Sequence, residues 1–140
     1  MEQKNGERAS EGWLKSTAFE GDIDTNDVEY RQSPVGTRGI TLYGLHPTQT
    51  GSFTGIQIEF PGTVSAGPMP VPQPFPDTVR VSYFRQTSGG QRTSFAAKSG
   101  LLVLLSYSES QGYATGTFDV VADVEGTDRS FNGSFDIRSV

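Results

Sequence analysis

The sequence has no cysteine and only one histidine among its 140 residues. The first absence removes disulfides, thiolate nucleophiles and cysteine-ligated metals together. The second leaves Ser-His-Asp chemistry with a single base, His46, in a Leu-His-Pro-Thr stretch that reads as an exposed turn. No Gly-x-Ser-x-Gly elbow accompanies it. No apolar run approaches the ~18 residues of a membrane-spanning helix, and the longest, residues 101–105, is strand-sized. Positive charge is also scarce: 11 Lys and Arg face 16 Asp and Glu, for a net charge of −5. With no basic cluster to follow a phosphate backbone, nucleic acid is not an expected partner. The Ser88-Gly-Gly-Gln91 stretch lacks the Lys-Ser/Thr that a phosphate-cradling loop needs. These absences point to a chain that is not an enzyme and carries no cofactor.

What is present is turn chemistry: 17 glycines and 8 prolines punctuate short apolar or alternating runs. That is the pattern of an all-β protein. Residues 1–12 show no periodicity and read as a flexible tail. Residues 13–140 read as one domain, an antiparallel β-sandwich of eight to nine strands with little or no helix. The expected strands are 13–19, 28–32, 39–45, 53–60, 78–86, 92–97, 101–108, 113–123 and 130–138. In the fourth, Ile56, Ile58 and Phe60 share a face while Gln57 and Glu59 take the other, as in a strand with one wet side. The run 101–105 is apolar at every position, which predicts a strand buried on both faces or one whose outer face is covered by another element.

Two hairpins can be set in register. A type II′ turn centred on Gly126 and Thr127 pairs Phe118 with Phe135, Gly116 with Ile137, Val120 with Gly133 and Ala122 with Phe131. The opposite face then carries Asp119, Asp123 and Asp136 toward solvent. A turn centred on Gly89 and Gly90 sets Phe84 opposite Phe95 and Tyr83 opposite Ala96. Residues 61–77 form the anomalous segment, with proline at every second position from 68 to 76. Half the amides are missing there, so a central strand is excluded and a stiff crossover is expected.

The tetrapeptide Gly116-Thr-Phe-Asp119 recurs as Gly133-Ser-Phe-Asp136, one copy on each strand of the last hairpin. With Gly39-Ile-Thr-Leu42, Ile56-Gln-Ile58 before Pro61-Gly62, and Ser99-Gly-Leu-Leu-Val-Leu104, this order resembles small bacterial exported proteins and lipoproteins of unknown function. The resemblance spans residues 37–140. It implies an antiparallel β-sandwich without catalytic residues, periplasmic or associated with the outer membrane. An export segment and lipid anchor would then lie outside this chain.

Three sets of residues are candidates for binding. Asp22, Asp24, Asn26 and Asp27 supply the alternating oxygens with which a calcium loop opens. The sixth position is Asp27 instead of glycine and the twelfth is Ser33 instead of glutamate, so an acidic turn is the competing reading. Tyr43, out of phase with Ile40 and Leu42, joins Tyr107 and Tyr113 as candidate contacts for a glycan or protein partner. Phe75 is a further one, within the proline segment. The expected function is a binding or structural module of the bacterial cell envelope. The alternative is a cytoplasmic inhibitor of the immunity type, whose acidic surface would steer it to a basic partner.

Overall fold

The computed structural model describes residues 10–32, 39–74 and 76–140. Of the expected tail over residues 1–12, residues 1–9 lie outside the described residues, as does Phe75, and residues 10–12 are not a tail but the start of a strand paired with the chain's last one. Among the described residues ten strands run in chain order: β1 (Ser10–Ser16), β2 (Ile23–Thr25), β3 (Val28–Gln32), β4 (Gly39–Pro47), β5 (Phe53–Pro61), β6 (Gly67–Pro70), β7 (Arg80–Gln86), β8 (Arg92–Ser108), β9 (Tyr113–Val124) and β10 (Thr127–Ser139). Every pairing is antiparallel, and no helix occurs among the described residues. Where the sequence suggests two packed sheets, the strands form one sheet in the order β2-β1-β10-β9-β8-β7-β5-β4-β3, with β6 added beside β8.

That sheet is nearly closed into a barrel, and its two ends are joined by the chain itself. β2 at one end passes directly into β3 at the other through Asn26 and Asp27. Side-chain hydroxyls replace ladder bonds along this seam: Thr25 Oγ1 donates to the Leu45 carbonyl at 2.6 Å, and Ser10 Oγ accepts from the Tyr30 amide at 2.8 Å. Gly44 makes room for the approach, since a Cβ there would lie 2.9 Å from Thr25 Cγ2 and 3.2 Å from Leu14 Cβ. Both hydroxyl residues are buried, and their bonds satisfy groups that would otherwise cost about 1–3 kcal/mol each. Inside the barrel Leu14, Leu42, Ile56, Ile58, Leu102 and Ile137 are fully buried.

The long strand β8 merges two expected strands. It turns at Gly100, with irregularities between Ala97 and Ser99 and between Leu104 and Ser106. Its first part pairs with β7, its second with β6, and β9 follows it from Ala97 onward. The expectation of burial on both faces of 101–105 is corrected here. Leu102 and Leu104 point inward, while Leu101 is 42% and Leu105 64% exposed, because the outer side of this sheet is uncovered at these positions. Leu105 is the unpaired residue of the second irregularity.

The proline segment is also more than a crossover, because Gly67–Pro70 is a strand on the margin of the sheet. Met69 turns into the core opposite Leu102, while Pro68 and Pro70 face solvent. The Val71 amide bonds the Gly100 carbonyl, so odd-numbered residues direct their backbone groups toward β8. Even-numbered residues direct theirs to the free margin, and there prolines supply no N–H. A further strand therefore finds acceptors without donors, which blunts edge-to-edge pairing.

Both hairpin registers differ from expectation. In the β9–β10 hairpin the turn residues are Glu125 and Gly126, at φ 56° and 91°, the two positive values of a type I′ turn. The pairing moves by two residues, which preserves the faces but changes the partners: Phe118 now opposes Gly133 and Phe135 opposes Gly116. Each copy of the repeated tetrapeptide thus lays its ring over the other copy's glycine. A left-handed Glu125 costs about 1–2 kcal/mol. Offsetting it are this ring-over-glycine packing, a 2.8 Å bond from the Gly126 amide to Asp123 Oδ1, and a 3.1 Å ion pair between Glu125 and Arg85. In the β7–β8 hairpin the loop holds three residues, Ser88 to Gly90, with Gly90 at φ 91° and the Thr87 amide donating to Gln91. This one-residue change sets Tyr83, not Phe84, opposite Phe95, and Phe84 opposite Ser94.

Candidate functional site

On the outer face of β3, β4, β5, β7 and β8 lies a recess of about 510 Å³. Strand alternation builds it: residues one position out of phase with the core project outward. β3 contributes Arg31, β4 Thr41 and Tyr43, β5 Gln57, β7 Gln86 and β8 Arg92. Arg92 organises the group. Its Nε and Nη2 donate to Gln86 Oε1 at 2.9 and 2.8 Å, and its Nη1 donates to Gln57 Oε1 at 2.8 Å. The guanidinium lies 4.0 Å from the Phe84 ring centroid and 4.8 Å from that of Tyr43. Phe84, fully buried although it faces outward, packs over Gly55, where a Cβ would be 2.3 Å from its ring. Arg31, more exposed, reaches the Tyr43 ring at 5.5 Å and approaches Glu29 at 3.6 Å. Two cations and an aromatic ring thus share one face, a favourable arrangement for guanidinium groups.

A second cluster closes one end of the barrel. The turn after β1 brings Phe19 against Tyr83 at 5.9 Å and Phe131 at 6.4 Å. Tyr83 stacks on Phe131 at 4.7 Å and on Phe95 at 6.5 Å. The Tyr83 hydroxyl donates to Glu20, and Arg85 grips the same carboxylate through Nε at 2.9 Å and Nη2 at 3.2 Å. Arg129 covers the Phe19 ring at 4.2 Å. Burial works to raise the Glu20 carboxyl, but the bonds from Arg85 and Tyr83 outweigh it and hold it below its ordinary value of 4.5. Burial, with the Glu20 carboxylate beside it, pushes the Tyr83 phenol far above its ordinary value. This is a clamp that holds the turn on the barrel.

The sign of its pH dependence follows from the lowered Glu20 value. The stability it contributes is present above the unfolded carboxyl's titration range and is lost as pH falls through the lower folded value. Solvent reaches about a third of both side chains, so the clamp is worth about 1 kcal/mol. Glu20→Gln is expected to lower the melting temperature by about 3–5 °C at pH 7, with the deficit closing toward pH 3. A deficit that stays constant across that range in thermal scans would show that the carboxylate's charge is not what holds the turn.

The residues expected from the sequence are dispersed. Asp22 accepts from the Ala18 amide at 3.2 Å, Asp24 sits on β2 beside His46, the Asn26 amide donates to the Gly12 carbonyl, and the Asp27 carbonyl accepts from Leu45. An acidic turn was the competing reading for this stretch, and β2 occupies its middle. No group of three or more His, Asp or Glu side chains gathers as a metal site among the described residues. His46 lies on β4 with Nδ1 3.1–3.2 Å from the backbone O and N of Asp24, at the barrel seam. Tyr107 packs edge-on against Phe60 at 5.2 Å and donates to the Gly62 carbonyl at 2.7 Å. Tyr113, half-buried, begins β9 opposite Arg138. Of the tyrosines Tyr43, Tyr107 and Tyr113, Tyr43 alone lines the recess.

Sequence reasoning missed Arg92, Gln57 and Gln86. Gln57 was readable as outward-facing, but Arg92 joins it only in the observed hairpin register, where Gln86 opposes Arg92. Comparison with protein-family models, curated proteins and solved structures finds no match to this chain.

Proposed function

We propose that the chain is a non-enzymatic binding module that recognises glycans through the outer recess around Tyr43. The carrying observation is the composition of that recess: amides, guanidiniums, a hydroxyl and one phenol ring, in a concavity of small-ligand size. Planar amides and guanidiniums offer paired donors and acceptors to vicinal hydroxyls, and few apolar side chains compete. β4, β5 and β7 are each paired on both sides, so an extended peptide cannot add there as a strand. Tyr43 serves as the platform on which both arginine head groups rest. A place in the bacterial envelope is part of the same reading and draws its support from the repeated Gly-x-Phe-Asp ending. Cell fractionation that recovers the protein from the cytoplasm alone would reject that placement.

The test is a glycan array holding neutral and acidic oligosaccharides, probed with the full chain and with Tyr43→Ala. Wild type is expected to bind a subset, and the variant to lose at least about tenfold in affinity, since both guanidiniums lose their platform. Equal binding by the variant would move recognition away from this recess, and no binding by either protein would reject the reading.

A further inference from the structure

We infer that the ligand of this recess carries a carboxylate, and that Arg92 is the residue that selects it. This rests on the glycan-binding reading and narrows it to acidic oligosaccharides, those containing uronic-acid units.

The chain has a net charge of −5, yet the Arg92 guanidinium has no carboxylate partner among the described residues. Its bonds go to the neutral side-chain oxygens of Gln57 and Gln86, which hold its position without cancelling its charge. A guanidinium has five N–H groups. Three are used here: the Nε proton, one on Nη1 and one on Nη2. One donor remains on each terminal nitrogen, available for a charge-assisted bond to a carboxylate. Packing against Phe84 and Tyr43 removes water from parts of the guanidinium and fixes its plane. An anion therefore meets a cation already ordered, and the ordering cost is not incurred again on binding. Arg31 also lies beside Tyr43, its charge partly offset by Glu29 at 3.6 Å, on a side chain exposed enough to swing toward a ligand. The contrast is Arg85 at the barrel end, which uses its guanidinium on Glu20 and Glu125 and has no such vacancy of charge.

An acidic peptide would offer carboxylates too. The recess favours the sugar because Gln32, Gln86 and Thr41 line it with polar groups that suit hydroxyls, while Gln57 is committed to Arg92 and Glu59, and it offers no apolar socket for a peptide anchor.

The experiment is calorimetric titration of the full chain with tri-galacturonate, with its methyl-esterified form, and with hexaglutamate, at low and high salt. Tri-galacturonate is expected to bind, to weaken as salt rises, and to exceed the ester by at least about tenfold, as loss of a charge-assisted hydrogen bond requires. Arg92→Gln is expected to abolish that preference, and Arg31→Gln, at an exposed position that leaves the fold intact, to reduce it by several fold. If acid and ester bind equally, glycan recognition stands and this inference fails. Stronger binding of hexaglutamate would overturn it in favour of a peptide ligand. If the acid preference survives Arg92→Gln, Arg92 is not its source and the inference fails.

Discussion

Gly133→Ala is expected to cost at least about 3 kcal/mol, a fall in melting temperature of about 10 °C. A Cβ at Gly133 would stand 2.2 Å from the Lys15 carbonyl oxygen and 2.5 Å from the Phe118 ring. The ring belongs to a side chain and can swing away. The carbonyl belongs to β1, which is paired with β10 over its whole length, so it can move only by opening the ladder. Trimming Phe118 in the same background should therefore not rescue the loss. Gly89→Ala is the control, because a Cβ there meets nothing closer than Thr87 Oγ1 at 3.8 Å, and a change within about 0.5 kcal/mol is expected. Thermal scans showing equally small shifts for both variants would mean that the tetrapeptide glycines are not close-approach positions.

Phe131→Ala should cost about 3–5 kcal/mol, or about 10–15 °C, by leaving a cavity at the closed end of the barrel. Phe131 is 1% exposed, and its ring is the floor on which Tyr83 stacks at 4.7 Å. Tyr83 in turn orients the hydroxyl that reaches Glu20, so the hole also loosens the turn above it. Phe19→Ala, at a ring 40% exposed on top of the same stack, should cost less than half as much. Calorimetry on the two variants separates the floor of the stack from its cover. A loss below about 1 kcal/mol for Phe131→Ala would show that the barrel end collapses onto the space, contrary to its ring geometry.

Along β5, burial follows the alternation of the sequence. Ile56, Ile58 and Phe60 are inward and Gln57 and Glu59 outward as their spacing requires, because a strand has only two faces. The last hairpin kept its faces although its register moved by two, since a shift of two returns every side chain to its side of the sheet. The β7–β8 hairpin moved by one, and that reversed which residues share a face: Arg92 joined Gln57 and Tyr43, and the recess came into being. Local turn preference did not select the observed type I′ turn in the last hairpin, because the Phe118–Gly133 and Phe135–Gly116 contacts lie several residues from the turn they govern.

The absence of cysteine by itself excludes disulfides, thiolate nucleophiles and cysteine-ligated metals without any structure. Composition and alternation by themselves determined the all-β class, the antiparallel hairpins and most of the core, since each depends on neighbours two residues apart. Tertiary structure alone decided that the sheet curls until β2 and β3 meet, that prolines 68 and 70 blunt a margin, and that Arg31, Tyr43 and Arg92 converge. The physical reason is range: these outcomes depend on pairings between residues tens of positions apart, and close packing selects among registers that local propensity leaves nearly equal.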